Sequence, residues 1–280
     1  MLSDKKIGLI GSGNMGTALI GGLISSGASS AEKIMCSDIK ESKTSALRER
    51  FGLETTSDNC RVAAECDIVI YAIKPQIMAG ILKQTAPCLD MNKLVVSIAA
   101  GVPLKAIESC LKKTLRLIRV MPNVASAVRE SATGITAGEH VLDGDLDLAR
   151  AIFGSIGKTV VVDEYLMDAI TGLSGSGPAY IFLIVDALAD AGVKVGLSRE
   201  DALCLSAQTL LGAAKLLMET HEHPGKLKDS VTSPGGTAIA GLHTLEEGGL
   251  RTTLINAVEA ATKRANELGK AMIENFSNNR

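Results

Sequence analysis

Residues 8–16 read GLIGSGNMG, which places Gly11, Gly13 and Gly16 in the G-x-G-x-x-G spacing. They stand directly behind the apolar run KIGLI (6–10) and at the opening of the helix-patterned MGTALIGGLISS (15–26). A strand, a glycine turn and a helix in that order leave few options. The first glycine permits a tight turn, the second lets the backbone approach a pyrophosphate, and the third lets the helix pack closely on the strand. Free N–H groups at the positive end of the helix then receive the phosphates, so the expected contacts are Gly11, Ser12, Gly13, Asn14, Met15 and Gly16. Asp38 closes the next apolar run, KIMCSD (33–38), where such folds place an acidic residue against the ribose. Asp38 suits the ribose hydroxyls of NAD and repels the 2′-phosphate of NADP, whereas Ser37 and Lys40 suit that phosphate. NADPH and NADH therefore both stay open, beside the plain reading of 38–40 as a solvated turn.

The pattern continues with DIVIYAI (67–73), KLVVSIAA (93–100), TLRLIRVM (114–121) and, after the helical DLDLARAIFGSIG, KTVVV (158–162). Short β-branched runs alternating with helical stretches predict an α/β fold of the Rossmann type, a doubly wound, parallel-rich sheet. The first domain is expected to span residues 1–163. Ligands in such sheets bind beyond the carboxyl ends of the strands, which brings in AIKPQ (72–76) and SIAAGVP (97–103). Lys74 can approach ribose or phosphate there, or be an exposed lysine ahead of a helix started by Pro75.

From residue 164 to 280 helix follows helix with no alternating strand. PAYIFLIVDALADAG is apolar on nearly every side and should be buried, against another subunit if not within its own. Ser198 with Asp201 resembles a capping box ahead of REDALCLSAQTLLGAAKLLMET. SPGG (233–236) opens a further helix that stops at Gly248-Gly249. Such a glycine turn is either a plain N-cap or a second anion site, suited to a carboxylate.

A formal charge of −2 gives no basic footprint for nucleic acid or an anionic membrane. The longest apolar run, AYIFLIV (179–185), is far shorter than the ~20 residues that cross a bilayer. The N-terminal segment reads as a first strand and not as a signal peptide, and the six cysteines form no C-x-x-C pair. Both features point to a cytoplasmic protein with reduced thiols. His221 and His223 lie on different sides of any helix, so no metal site is expected.

Taken together, GSGNMG (11–16), GLSGSGPAYIF (172–182) and HPGKLKDSVTSPGGTAIAGLHTLEEGGLR (223–251) resemble pyrroline-5-carboxylate reductases. AIKP (72–75), SIAAG (97–101) and MPN (121–123) lie between them, so the likeness runs over essentially the whole chain. The resemblance implies NAD(P)H-dependent reduction of 1-pyrroline-5-carboxylate to L-proline. It also implies a Rossmann domain followed by an all-helical domain through which two chains interlock, so that each site joins the cofactor domain of one chain to the helical domain of its partner. By resemblance, Gly11 to Gly16, Asn59, Ala72, Lys74 and Ala100 contact the cofactor. Ser233, Gly235, Gly236 and Thr237 hold the substrate carboxylate, with Glu164 at the border of the pocket. Family members commonly carry a threonine two places after the second glycine, at the ring nitrogen. Here that place is Ala238, which leaves Thr237, Ser233 or an ordered water as the donor. Two rival readings are a β-hydroxyacid dehydrogenase of the 6-phosphogluconate type and a non-catalytic NADPH sensor. The first needs a lysine and, a turn later, an asparagine on the helix after a glycine-rich turn, and GSGPAYIFLIVDALADAG contains neither.

Overall fold

The computed structural model describes residues 2 and 4–278. These fall into two compact units: one runs to Ser176 and resumes at Glu259, and the other is Gly177–Val258.

The first unit is built on an eight-stranded sheet: β1 (Ile7–Ile10), β2 (Ile34–Ser37), β3 (Glu54–Thr56), β4 (Ile68–Tyr71), β5 (Leu94–Ser97), β6 (Arg116–Met121), β7 (Ser131–Ala137) and β8 (Gly157–Val161). The strand order is β3-β2-β1-β4-β5-β6-β7-β8. All neighbours are parallel except β6 and β7, where Ile118 faces Ala137 and Met121 faces Gly134. Strands β1, β2, β4 and β5 are buried at every position, as strands covered on both faces must be. Helices α1 (Asn14–Ser25), α2 (Glu41–Phe51), α3 (Asn59–Glu65), α4 (Pro75–Thr85), α5 (Leu104–Leu111) and α6 (Asp145–Gly154) form the crossovers. One core carries Leu19, Ile20 and Leu23 of α1 with Ile152 and Phe153 of α6. The other carries Val62, Met78, Leu82 and Ile107 with Phe276 from the chain's last helix.

Strands β3 and β7 have no counterpart among the expected strands. The first is three residues long and half exposed at the sheet edge, and the second, SATGITA, is rich in small residues. Gly134 within β7 lets Ile170 approach, since a Cβ there would stand 2.7 Å from its Cγ2. After β8 come a 3-10 turn (Glu164–Leu166), the short helix α7 (Met167–Ile170) and a π-helical turn (Thr171–Gly175).

The second unit is helical: α8 (Gly177–Lys194), α9 (Arg199–Thr220), α10 (Pro224–Ser230), α11 (Thr237–Glu247) and the start of α12 (Leu250–Asn278). The Ser198 hydroxyl accepts from the Asp201 N–H at 3.1 Å, as the capping motif predicts. Helix α10 lies within what the sequence presents as a connecting loop. Helices α8 and α9 pack closely where Gly192 meets Ala202. Apart from Ala189, no residue of α8 is buried within the chain, and Phe182 and Leu183 are 66% and 70% exposed. The burial expected of this helix is not met by the chain's own residues. Helices Glu164–Lys194 and Arg199–Thr220 are long and apolar enough to span a bilayer by length and composition alone.

Candidate active site

Where the strand order reverses, between β1 and β4, an open parallel sheet leaves a crevice beyond its strand ends. The glycine turn lies there. Gly11 has φ +103, and a Cβ on it would stand 2.5 Å from the Ala72 carbonyl oxygen, so only glycine lets the two strand ends approach this closely. A Cβ on Gly16 would stand 2.5 Å from the Gly11 carbonyl oxygen. Above Gly13 the space is open, with no atom within 4 Å of a Cβ built there. Gly13 is also the N-cap of α1 and supplies no side-chain cap. Helix geometry leaves the first N–H groups of α1, at Asn14 and Met15, without intrahelical acceptors. An open, uncapped helix start is a cradle for a pyrophosphate, so the residues present fit a dinucleotide.

The neighbouring strand ends close around this turn. Gly11 N–H donates to the Ser37 carbonyl at 2.8 Å. Buried Ser37 donates its hydroxyl to Asn59 Oδ1 at 2.7 Å, and Asn59 Nδ2 donates to Gln84 Oε1 at 3.1 Å. Asp38 accepts from the Ser12 N–H (3.0 Å) and hydroxyl (2.7 Å) through Oδ2 and from the Lys40 N–H (2.9 Å) through Oδ1. Lys43 Nζ lies 3.9 Å from the same carboxylate. Partial burial works to raise the Asp38 pKa, but the bonds from Lys40 and Ser12 and the charge of Lys43 outweigh it and hold the group below the usual carboxylate value. Lys74 is exposed and caps α4 at the end of β4, with Pro75 as its first residue, and Ala100 is exposed just past β5. The structure thus gathers Gly11–Gly16, Ser37, Asp38, Asn59, Ala72, Lys74, Pro75 and Ala100 at the strand ends of one sheet.

Two further segments singled out in the sequence bind each other. Asn123 of MPN donates through Nδ2 to the Ser174 carbonyl at 3.1 Å, and the Ser174 hydroxyl donates to the Ala132 carbonyl at 2.6 Å. The π-helical turn containing Ser174 also brings Gly175 against Met121, whose Cε would lie 2.6 Å from a Cβ at that glycine. Such turns recur at functional sites because they re-aim a helix. Glu164 lies on the same unit and accepts through Oε1 from Arg119 NH1 (2.8 Å) and from the Leu104 N–H (3.1 Å). Arg119 and Gln84 are missing from the sequence reading. An arginine inside the apolar run TLRLIRVM was the available signal for the first, and nothing in the sequence marks the second.

In the helical unit, SPGG makes a second turn of the same kind. Gly235 has φ +67, Gly236 N–H donates to the Ser233 carbonyl at 3.0 Å, and Gly236 is the N-cap of α11 without a side-chain cap. The nearby hydroxyls of Ser230 and Thr232 are spent on helix carbonyls at 2.7 Å each. Ser233 and Thr237 are exposed, and the Ser233 hydroxyl folds over Gly236. The segment Thr232–Ala238 has no titratable side chain, so it can offer an anion only hydroxyls, N–H groups and the helix dipole.

The sheet order and the glycine cradle define an NAD(P)H-dependent oxidoreductase of the Rossmann type. Residues 6–101 match the family model described as NADP oxidoreductase coenzyme F420-dependent, and residues 164–268 match that of pyrroline-5-carboxylate reductase dimerisation. The chain is 48% identical over 269 residues to a pyrroline-5-carboxylate reductase of Methanosarcina acetivorans, covering 96% of this chain and 100% of that one. To the Arabidopsis thaliana enzyme of that name it is 44% identical, with 95% and 96% covered. A solved pyrroline-5-carboxylate reductase from Coxiella burnetii superposes with a TM-score of 0.91 at 39% identity, covering 94% and 98%. A Plasmodium falciparum pyrroline carboxylate reductase with NADP bound does so at 0.84 and 32%, covering 95% and 99%. The chain belongs to the pyrroline-5-carboxylate reductase family.

Proposed function

We infer that this chain reduces 1-pyrroline-5-carboxylate to L-proline at a site made by two copies, the sheet unit of one facing the helical unit of the other. The observation that carries this reading is the pair of uncapped glycine turns, one fit for a pyrophosphate and one for a carboxylate. Identity of 48% over 96% of the chain to a reductase of that name supports it.

Gly11 to Gly16 hold the pyrophosphate, Ser37, Asp38 and Asn59 face the adenosine end, and Ala72, Lys74, Pro75 and Ala100 line the way to the nicotinamide. When bound, the reduced nicotinamide supplies the hydride that adds to the imine carbon. Ser233, Gly235, Gly236 and Thr237 hold the ring carboxylate, with Glu164 at the margin. The C=N bond becomes CH–NH, so a proton also reaches the ring nitrogen. With Ala238 at the place of the family's threonine, the Thr237 or Ser233 hydroxyl, or a water held by them, faces that nitrogen. A protonated imine is already a strong electrophile, so a turn free of titratable groups suffices. The chain's main contribution is orientation, up to about 7–11 kcal/mol in favourable cases. Carboxylate capture at the α11 start adds about 0.3–2 kcal/mol. The cofactor is NADPH or NADH.

The exposed apolar residues of α8 and α9, among them Phe182, Leu183, Leu205 and Leu211, form the surface that a second copy covers, and dimers can assemble further. Six free cysteines suit a reducing cytoplasm.

The test is loss of reduced-nicotinamide absorbance on adding pyrroline-5-carboxylate; the control gives a β-hydroxyacid with oxidised cofactor, where turnover is a rise in that absorbance. Imine-dependent oxidation of the cofactor supports the reading. Turnover of the hydroxyacid alone returns it to the dehydrogenase rival, and binding without turnover to a sensor.

A further inference from the structure

Arg119 lies mid-sheet on β6, opposite Ser97 of β5 and Thr136 of β7, and its side chain is only 4% exposed. A guanidinium buried there is costly unless it is paired. Its NH1 donates to Glu164 Oε1, and its NH2 stands 3.9 Å from Asp168 Oδ1 with no hydrogen-bond partner among the described residues. The same Glu164 oxygen accepts from the Leu104 N–H, 60 residues away in sequence. Leu104 is the first residue of α5, and its N-cap, Pro103, has no side chain that could accept. Glu164 therefore does the work of an N-cap from a distance. The turn in front of α5 carries Ala100 and Gly101, the latter with φ +70. The returning end of α12 packs on this turn: Gly269 lies under Pro103, and Leu268 lies beside Gly101. Asn266 on the same helix donates to Asp168 Oδ2 at 3.0 Å. Glu164, Arg119, Asp168 and Asn266 thus form one polar chain that ends on the Ala100–Leu104 turn.

We propose that Glu164, held by Arg119, is a positioning residue that fixes the Ala100–Leu104 turn against the bound cofactor and does not itself ligate the substrate. The proposal rests on the reductase reading above. Removing the carboxylate loosens a turn at the cofactor and leaves the carboxylate-binding turn of the helical unit untouched. Glu164→Ala should raise the Kd for reduced cofactor about tenfold, the size of a lost helix cap, and lower kcat, with the substrate KM unchanged. Glu164→Gln keeps an acceptor for Leu104 and Arg119 and should recover most of that loss.

The experiment titrates nicotinamide fluorescence for Kd, measures kcat and both KM values, and records Tm for each variant. Cofactor affinity and kcat falling together in Glu164→Ala, measured well below its own Tm, with rescue by Gln, supports the proposal. A rise confined to the substrate KM makes Glu164 a direct ligand and overturns it, as does no change at all. Should Glu164→Ala not fold, Arg119→Lys carries the test, and wild-type Kd and kcat in that folded variant overturn the pairing. Cofactor Kd is read without substrate, so it tests this pair even if the wild type does not reduce the imine.

Discussion

Replacing the fingerprint glycines one at a time separates what the fold needs from what the cofactor needs. Gly13 has φ −67 and ψ −177, an extended backbone open to alanine, and a methyl group there meets no atom within 4 Å. Alanine for glycine restricts the unfolded chain and so stabilises by about 0.4–1 kcal/mol. A comparable amount is lost because alanine is a poorer N-cap than glycine. The two nearly cancel, and Tm should move by less than about 3 °C. The methyl group nevertheless stands in the open space over the α1 start, where the pyrophosphate backbone must come close. The Kd for NADPH should therefore rise by about tenfold or more, which is 1.4 kcal/mol. Gly16→Ala is the contrast, because its methyl would stand 2.5 Å from a backbone carbonyl oxygen. Overpacking of about 1–3 kcal/mol then outweighs a helix-propensity gain of about 1 kcal/mol, and stability falls with affinity. Calorimetry gives Tm, and fluorescence titration gives Kd in a chain without tryptophan. Wild-type affinity in Gly13→Ala, or a loss of affinity that tracks a loss of fold, would refute the reasoning.

Other expectations follow from the same contacts. Asp145 is 1% exposed and bonded by Arg116 through Nε at 2.9 Å, so Asp145→Ala strips a part-buried guanidinium of its carboxylate and leaves it only the Asn92 carbonyl among the described residues. That costs about 3–5 kcal/mol, and calorimetry should show a Tm lower by roughly 6–20 °C; a change under 2 °C would mean the pair is dispensable. The Asp38 carboxyl is depressed in the fold, so its stabilising contribution is present above the unfolded carboxylate value near 4 and lost as pH falls through the lower folded value. Denaturant midpoints of wild type and Asp38→Asn should converge as pH drops below about 4, and a constant gap would contradict the linkage. Asp38→Ser should also shift the ratio of kcat/KM values toward NADPH, because it removes a negative charge on the side where the 2′-phosphate lies. Phe182→Asp with Leu183→Asp should drive the assembly toward monomer in sedimentation; an unchanged mass would move the interface elsewhere.

The sheet was legible where burial on both faces wrote uninterrupted apolar runs, as in IVIY of β4 and LVVS of β5. Strand β3 was not, because three half-exposed edge residues carry no such pattern. β7 pairs antiparallel with β6 and packs small residues against α7 and the 3-10 turn at Val124–Val128, so its logic is tertiary. The cofactor cradle could be read because its requirement is local: glycine at Gly11 follows from a positive φ and a close carbonyl. The Glu164–Arg119 pair could not, since its partners are 45 residues apart and meet only across the folded sheet. SPGG read as an anion site only beside its family resemblance, because a plain N-cap has the same letters. The apolar face of α8 was visible in sequence, but the chain's own residues do not cover it.

The central claim, that the two glycine turns act in trans, is tested most directly by mixing two inactive variants. One carries Gly13→Val in the cofactor turn, and the other carries Ser233→Ala with Gly236→Val in the carboxylate turn. After dissociation and random re-association, half of the dimers are mixed and one of their two equivalent sites has both turns intact, so about one quarter of wild-type activity should return. Activity that stays at the sum of the two separate variants would contradict the account.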